Sequence, residues 1–446
     1  MLSKKKLSHQ LEMFNSIGDQ LNQKHPLYLL ANKIHWFKFD EAFELHYCVE
    51  NGRPAKPIRL MVSLCVLKHL RNLSDESVVE QWAENMYYQY FSGELRFTSA
   101  LPCASTELVM FRERIGSAGM ELILKESIRI NDDQTPLDKD QLIVSIDTTV
   151  QEKNITFPTD DKQYKKIIKH CWKIAEKEGI TLRRSYSRKV KSLSVAQRFR
   201  TNKRGRKAAR NADRKIRTIA GALVRELGRK LSWERLCNHI EKLKLYQRVI
   251  RQQRDDKDKI YSLHEPNVKC YTKGKEHKKY EFGSKASIVI DQQTGIIIGA
   301  QCFTETIHDS KTIPQVIDQC ESMIEVSIKQ AYVDRGYRGV NQYKECEIKV
   351  PKPRNSITEQ ERKSHSRRSA IEPVFSHLKA DFRLCRNYYK GIVGDDINLI
   401  LAAAAMNFKR VMNLWSTEAI VRWLLALKNY IAFIGKIMFR KVQMGF

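Results

Sequence analysis

The sequence has no Cys-x-x-Cys pair among its ten cysteines, which are scattered from Cys48 to Cys385. That scatter removes the paired-cysteine metal and redox motifs and predicts free thiols in a reducing compartment. Cys237-x-His239 is the nearest approach to a metal pair, and it lacks partners. No apolar core follows Met-Leu-Ser-Lys-Lys-Lys, so no signal peptide is expected. A charge-free run of membrane-spanning length is also missing, because Arg422, Lys428 and Lys436 interrupt the apolar stretch from Ile420 to Phe439. A packing or dimerising helix is expected there, with interfacial membrane binding the poorer reading. There is no internal repeat. Acids are scarce: 51 Asp and Glu stand against 79 Lys and Arg, a formal charge of +28. Such an excess suits a nucleic-acid partner, although an anionic membrane or plain solubility explains part of it equally well. With 446 residues and 42% hydrophobic content, the chain is expected to be globular and to hold two or three units.

Helical periodicity dominates from about residue 27 to 115. Ile58, Met61, Leu64 and Leu67 recur at helical spacing, then Val78, Val79, Trp82, Met86 and Tyr90, with Ser74 as a cap for the second helix. Two helices across a short turn fit a helix-turn-helix reader or a small packing bundle equally well. The period changes at Gln141. Leu142 to Ile146 is a near-continuous apolar run, as in a strand covered on both faces, and it ends at Asp147. Residues 162–260 read as helix, rich in Lys, Arg, Ala and Leu. Strands resume at Tyr280–Ile290 and Ile296–Phe303, joined as an antiparallel hairpin through Asp291-Gln-Gln-Thr-Gly295. A helix candidate follows His308-Asp309-Ser310. Further strands are expected at Ile328–Val333, ending at Asp334, and at Glu347–Val350. The last core helices are expected from about Thr358 through Leu384 and from Asp396 through Met412. This order predicts an α/β fold, a mixed sheet flanked by helices. Asp147 and Asp334 would stand at the carboxyl ends of parallel neighbours, where open α/β sheets collect ligands.

Three acids sit in settings that suit divalent cations and a polyanionic substrate: Asp147, Asp334 and Glu372. Taken singly each has a plain structural explanation, since strand-end aspartates commonly cap turns and Glu372 pairs readily with Arg368 one helical turn away. The combination says more. On a helical wheel with Arg368 at 0°, Glu372 falls at roughly 40°, Lys379 at roughly 20° and His365 at roughly 60°. The apolar residues Ile371, Val374, Phe375, Leu378 and Phe382 fall beside them as a separate stripe. Pro373 interrupts this picture: either the helix kinks there or Pro373 lies in its first turn.

Arg368-x3-Glu372-x6-Lys379 resembles the Tyr-x2-Arg-x3-Glu-x6-Lys signature of bacterial insertion-sequence transposases of the Asp-Asp-Glu (DDE) type. Asp147-Thr-Thr-Val-Gln-Glu-Lys-Asn, Asp334-Arg-Gly-Tyr-Arg-Gly and Arg-Arg-Ser-Ala-Ile-Glu-Pro are similar to that group's three catalytic blocks. Tyr-Ser-Leu-His-Glu-Pro at 261–266 and Lys-Lys-Tyr-Glu-Phe-Gly at 278–283 extend the likeness along most of the chain. The resemblance implies a ribonuclease-H-like catalytic fold. It also implies Asp147, Asp334 and Glu372 as catalytic metal ligands and Arg368 and Lys379 as DNA contacts. His365 stands where the signature has tyrosine. Its imidazole is expected to face the scissile strand, and Arg335 and Tyr337 are expected to contact DNA as well.

The 187 residues from Asp147 to Asp334 exceed what a hairpin and one helix need, so residues from about 162 to 260 are an insertion. Within it Arg183–Lys230 holds 18 Lys and Arg against Asp213 and Glu226 alone. A solvated or disordered charge run explains that density, but Ile216, Ile219, Ala220, Leu223, Val224 and Leu227 add a helical apolar stripe. A folded basic arm is the preferred reading. Its Arg183, Arg184, Arg204, Arg206, Lys207 and Arg210 would track phosphates, with Tyr186 and Phe199 available for stacking.

The expected organisation is a helical domain over 1–135 for DNA end binding or dimerisation. A catalytic domain follows over 136–412, with the basic insertion inside it, and then a helical tail over 413–446. The expected activity is cut-and-paste transposition with two Mg²⁺ ions, Mn²⁺ being a substitute. Terminal inverted repeats and target DNA would be the substrates, bound by a homodimer or higher synaptic oligomer. A bacterial, cytoplasmic and nucleoid-associated setting is expected, without membrane. A hydrolytic nuclease lacking strand transfer and a non-catalytic DNA-binding regulator are the competing readings.

Overall fold

A computed structural model describes residues 16–48, 52–253, 255–272, 279–352 and 358–443, with the side chains of Gln360 and of 418–443 left out. The N-terminal segment considered for a signal peptide and the side chains of the apolar C-terminus lie outside the described residues. Two compact units emerge. One comprises the chain up to Gln151, Lys285–Phe303 and Ile307 onward; the other comprises Glu152–Ser284 with Thr304–Thr306.

Among the described residues eight strands occur in chain order: β1 (Ile143–Lys153), β2 (Lys269–Thr272), β3 (Tyr280–Asp291), β4 (Ile297–Phe303), β5 (Gln330–Tyr332), β6 (Gln342–Tyr343), β7 (Cys346–Lys349) and β8 (Arg386–Asn387). In the first unit the sheet runs β4-β3-β1-β5-β7-β6, with β8 added to β1. Antiparallel β3 and β4 pair from Lys285 with Phe303 to Ile290 with Ile297. Their connection closes through Asp291, whose Oδ2 accepts from Thr294 N (2.6 Å), while Gly295 supplies the positive φ of +71° that the turn requires. Parallel pairing joins β1 to β5 (Ile143 with Gln330, Ser145 with Tyr332) and β5 to β7 (Gln330 with Glu347, Tyr332 with Lys349). Val144, Ile146, Ala331 and Val333 are wholly buried, as near-continuous apolar strands should be when both faces are covered.

One hydrophobic core runs from Leu27 through the sheet to Trp415. The N-terminal helices, expected to form a domain of their own, therefore share their core with the sheet. Ile58–Leu70 is buried along nearly its whole length, and Asp75–Glu84 starts at Ser74, whose Oγ accepts from Ser77 N at 3.0 Å. The second helix turns Glu76, Glu80 and Glu84 outward. An acidic outer face does not favour phosphate contact there. The last helix, Gly391–Gln443, begins five residues earlier than expected and continues through 413 without a break. Its Ala402–Ala405 run lets it approach closely, and Asn407 serves the backbone of β4 on both sides: Ile297 N donates to its Oδ1 (3.0 Å) and its Nδ2 donates to Ile297 O (2.8 Å). By length and composition Gly391–Thr417 would be apolar enough to cross a membrane, yet 72% of its most apolar 18-residue window is buried in the protein, as in a core helix.

The second unit is mostly helical. Asp160–Lys177, Arg206–Lys230 and Ile240–Arg251 pack around Ile167, Ile168, Cys171, Leu243, Tyr246 and Val249. The apolar stripe read from Ile216 to Leu227 lies wholly inside this core, so the basic stretch folds and displays its charge outward.

Candidate active site

Asp147 and Asp334 each stand two residues beyond the Ser145–Tyr332 pair of the parallel strands β1 and β5. Side chains alternate along a strand, so this register carries both carboxylates to the same end and side of the sheet. Asp147 Oδ1 accepts from Thr148 N (2.7 Å). Asp334 Oδ1 accepts from Gly336 N (2.8 Å) and caps the short turn Arg335–Tyr337, so this aspartate does have the turn role that sequence allowed it.

The expected helix from Thr358 to Leu384 is two helices, Glu359–Arg368 and Ile371–Asp381. They meet at Ser369–Ala370 in a tight joint, where Ala370 N donates to Arg367 O (2.9 Å) and Glu372 N to Ser369 O (3.2 Å). Pro373 lies in the first turn of the second helix, where a missing N–H costs no helical bond. A single helical wheel through His365 and Lys379 therefore does not describe this segment. The first helix is held against the sheet by Gln292, whose Nε2 donates to Ser145 Oγ (2.9 Å) and Ser364 O (3.1 Å), and by Lys349, which donates to Glu361 (3.2 Å). Arg368, at its end, places Nη1 3.7 Å from Oδ2 of Asp147, with both side chains largely buried.

Glu372 is exposed in the first turn of the second helix. No three His, Cys, Asp or Glu side chains among the described residues stand close enough to hold a metal ion together. The structure thus brings Asp147 and Asp334 together, and ties Glu372 to them only through the neighbouring Arg368. Lys379 is half-buried on the same face of this helix, about two turns further on.

One expected DNA contact is corrected. Tyr337 is wholly buried and cannot reach a duplex; Arg335 beside it is exposed. His365 lies edge-on to the Tyr332 ring, with centroids 4.9 Å apart at 83°. Burial pulls its pKa below the usual histidine value, Glu361 opposing and Arg368 and Lys349 assisting. In the second unit Arg183, Arg184, Arg204, Arg206, Lys207 and Arg210 are all exposed, as is Phe199, whereas Tyr186 packs against the core.

Sequence reasoning missed Asp309 and Lys285. Asp309 opens a short turn before the helix Ile313–Ile324, and its Oδ1 accepts from Thr148 Oγ1 (2.8 Å) and from Lys285 Nζ (2.7 Å). The only local signal was an Asp before Ser at a helix start, which reads as a cap.

Residues 15–114 match the family described as Transposase domain (DUF772), and residues 249–408 match the Transposase DDE domain family. The chain belongs to the DDE transposases of insertion sequences. The DDE match includes Asp334 and Glu372 and starts after Asp147. A relative from Rhizobium meliloti, "Uncharacterized protein ORF8 in nfe locus", is 42% identical over 180 residues, 40% of this chain and 86% of that protein. No solved structure matches the chain. DDE transposases act on DNA and use divalent metals, and carboxylate oxygens are the hard donors such ions take.

Proposed function

We propose that this transposase hydrolyses DNA strands at the ends of its element and joins the freed 3′-hydroxyl to target DNA. The observation that carries this reading is the register of β1 and β5, which delivers Asp147 and Asp334 side by side with Arg368 against the first. The strand order β4-β3-β1-β5-β7 supports a ribonuclease-H-like sheet, and the two aspartates occupy the ligand-collecting end of its parallel part.

Mg²⁺ commonly rests on one or two carboxylates and takes its remaining ligands from water and substrate phosphates, so a pair of aspartates without a closed cage fits it. Asp147 and Asp334 would hold the metal, with Glu372 completing the shell of a second ion, and Mn²⁺ would substitute. Two bound ions supply positive charge to the attacking and leaving oxygens of an in-line displacement. Arg368 contributes a fixed guanidinium where negative charge grows in the transition state, and Lys379 would neutralise a neighbouring phosphate. The exposed arginines and lysines of the second unit would grip the DNA backbone without reading its sequence. The helices before residue 135 would serve end binding or dimerisation in a synaptic homodimer or larger oligomer, acting on cytoplasmic, nucleoid-associated DNA.

The test uses a pre-cleaved element end, a target plasmid and Mg²⁺. Joined product that is lost in chelator and in Asp147→Asn, Asp334→Asn and Glu372→Gln, with end binding retained in all three, is the expected result. Cleavage without joining would leave a hydrolytic nuclease, and binding without either reaction would leave a DNA-binding regulator.

A further inference from the structure

We propose that Asp309 is a fourth carboxylate of the reaction centre, facing the same divalent cation as Asp334. This rests on the metal-dependent reading of Asp147 and Asp334 given above.

Gly336 marks the space concerned. A methyl group built on it would meet Oδ1 of Asp334 at 2.9 Å and Oδ2 of Asp309 at 3.1 Å. The two oxygens therefore flank one small volume that only glycine leaves open, and are at most the sum of those distances, 6.0 Å, apart. Asp309 is aimed from its other oxygen: Oδ1 is held by the Thr148 hydroxyl (2.8 Å), next in chain to Asp147, and by Lys285 (2.7 Å), which also donates to Ile307 O (2.6 Å). Oδ2 has no hydrogen bond among the described residues, so it is the free coordinating edge.

Tyr337 gives a second, independent sign. Its side chain is wholly buried and its hydroxyl makes no hydrogen bond of good geometry, although Thr312 adjoins it and directs its own hydroxyl to Asp309 O (2.6 Å). After burial itself, the groups that most oppose ionisation of this phenol are Asp147, Asp309 and Asp334. All three carboxylates thus act on one orphaned polar atom, although they come from a strand, a helix start and a turn. Lys285 pairs with Asp309 and Arg368 with Asp147. Carboxylate oxygens that face one small open volume are the hard donors a divalent cation takes.

The experiment measures Mn²⁺ binding to the full chain by electron paramagnetic resonance without DNA. Asp309→Asn keeps an oxygen for Thr148 and Lys285 and removes only the charge. It is expected to weaken Mn²⁺ binding by about tenfold or more, the size usual for losing one partner of a metal site. Gly336→Ala, whose methyl would press on Oδ1 of Asp334 and Oδ2 of Asp309 alike, should also weaken Mn²⁺ binding by filling the space between them. Wild-type Mn²⁺ affinity in both variants would overturn the proposal. Asp334→Asn is the internal reference. If it loses Mn²⁺ while the two variants keep it, Asp309 alone is misassigned; if it too binds like wild type, the metal reading of the whole centre falls.

Discussion

Arg368 and Asp147 stand 3.7 Å apart, joining the helical segment before Glu372 to the strand that carries the first acid. Planarity and permanent charge distinguish this guanidinium from an ammonium, which would sit as a mobile point charge. Arg368→Gln is expected to slow strand cleavage by about 100-fold at saturating DNA, the scale of losing one preorganised donor, and Arg368→Lys to fall between. Single-turnover cleavage rates check this. Equal rates for all three proteins would make the pair a merely structural contact.

The basic arm makes a separate prediction. Replacing Arg204, Arg206, Lys207 and Arg210 with Gln removes four exposed cations from the second unit while leaving its apolar core untouched. Binding should weaken for every DNA sequence. If all four touch phosphates, the slope of log affinity against log salt should shrink by about 3.6. Filter binding between low and moderate salt measures it. An unchanged slope would mean that these charges face only solvent.

His365→Ala should behave as a packing change. The substitution gives up the edge-on contact of the imidazole with Tyr332, worth about 0.5–1.5 kcal/mol. The melting temperature should drop by a few degrees, while the cleavage rate stays within about threefold and its pH profile between 6 and 8 does not move. A rate loss above tenfold at unchanged stability would restore a role for the imidazole at the DNA.

Asp396 predicts a pH-dependent stability effect. Burial, ahead of nearby Asp395 and Glu121, pushes its carboxyl up to about 6, although Cys302 N donates to it at 3.1 Å. A raised carboxyl pKa favours the protonated form in the folded state. Its destabilising effect is therefore absent below about pH 3.8 and complete above about pH 6. Asp396→Asn keeps the acceptor and removes the charge. It should raise the unfolding free energy by up to roughly 2–3 kcal/mol at pH 8 and leave it unchanged near pH 3.5. Equal stabilisation at both values would show that charge is not the cause.

Much of the sheet was legible because its signals are local. The apolar run Leu142–Ile146, the turn at Asp291–Gly295 and the strand before Asp334 each state their own conformation within a few residues. The stripe from Ile216 to Leu227 likewise announced a helix with one face inside. Less legible was the segment around Glu372. Its apolar and charged residues keep helical spacing through Ser369–Ala370, and that pattern does not disclose a tight joint that redirects the second helix.

Although the first strand, expected to end at Asp147, continues to Lys153, the sequence by itself determined most stretches of strand and helix, that an acid follows each of two apolar strand runs, and that one helical unit carries most of the positive charge. These follow from periodicity and composition, which act through near neighbours along the chain. Only the tertiary structure decided which acids meet. Asp309 reaches Thr148 across 161 residues and Lys285 across 24, and the side chain of Tyr337 turns inward among carboxylates rather than toward DNA. Such encounters depend on strand register and on how helices close over the sheet. They are set by packing of distant elements into one core, which no local pattern records.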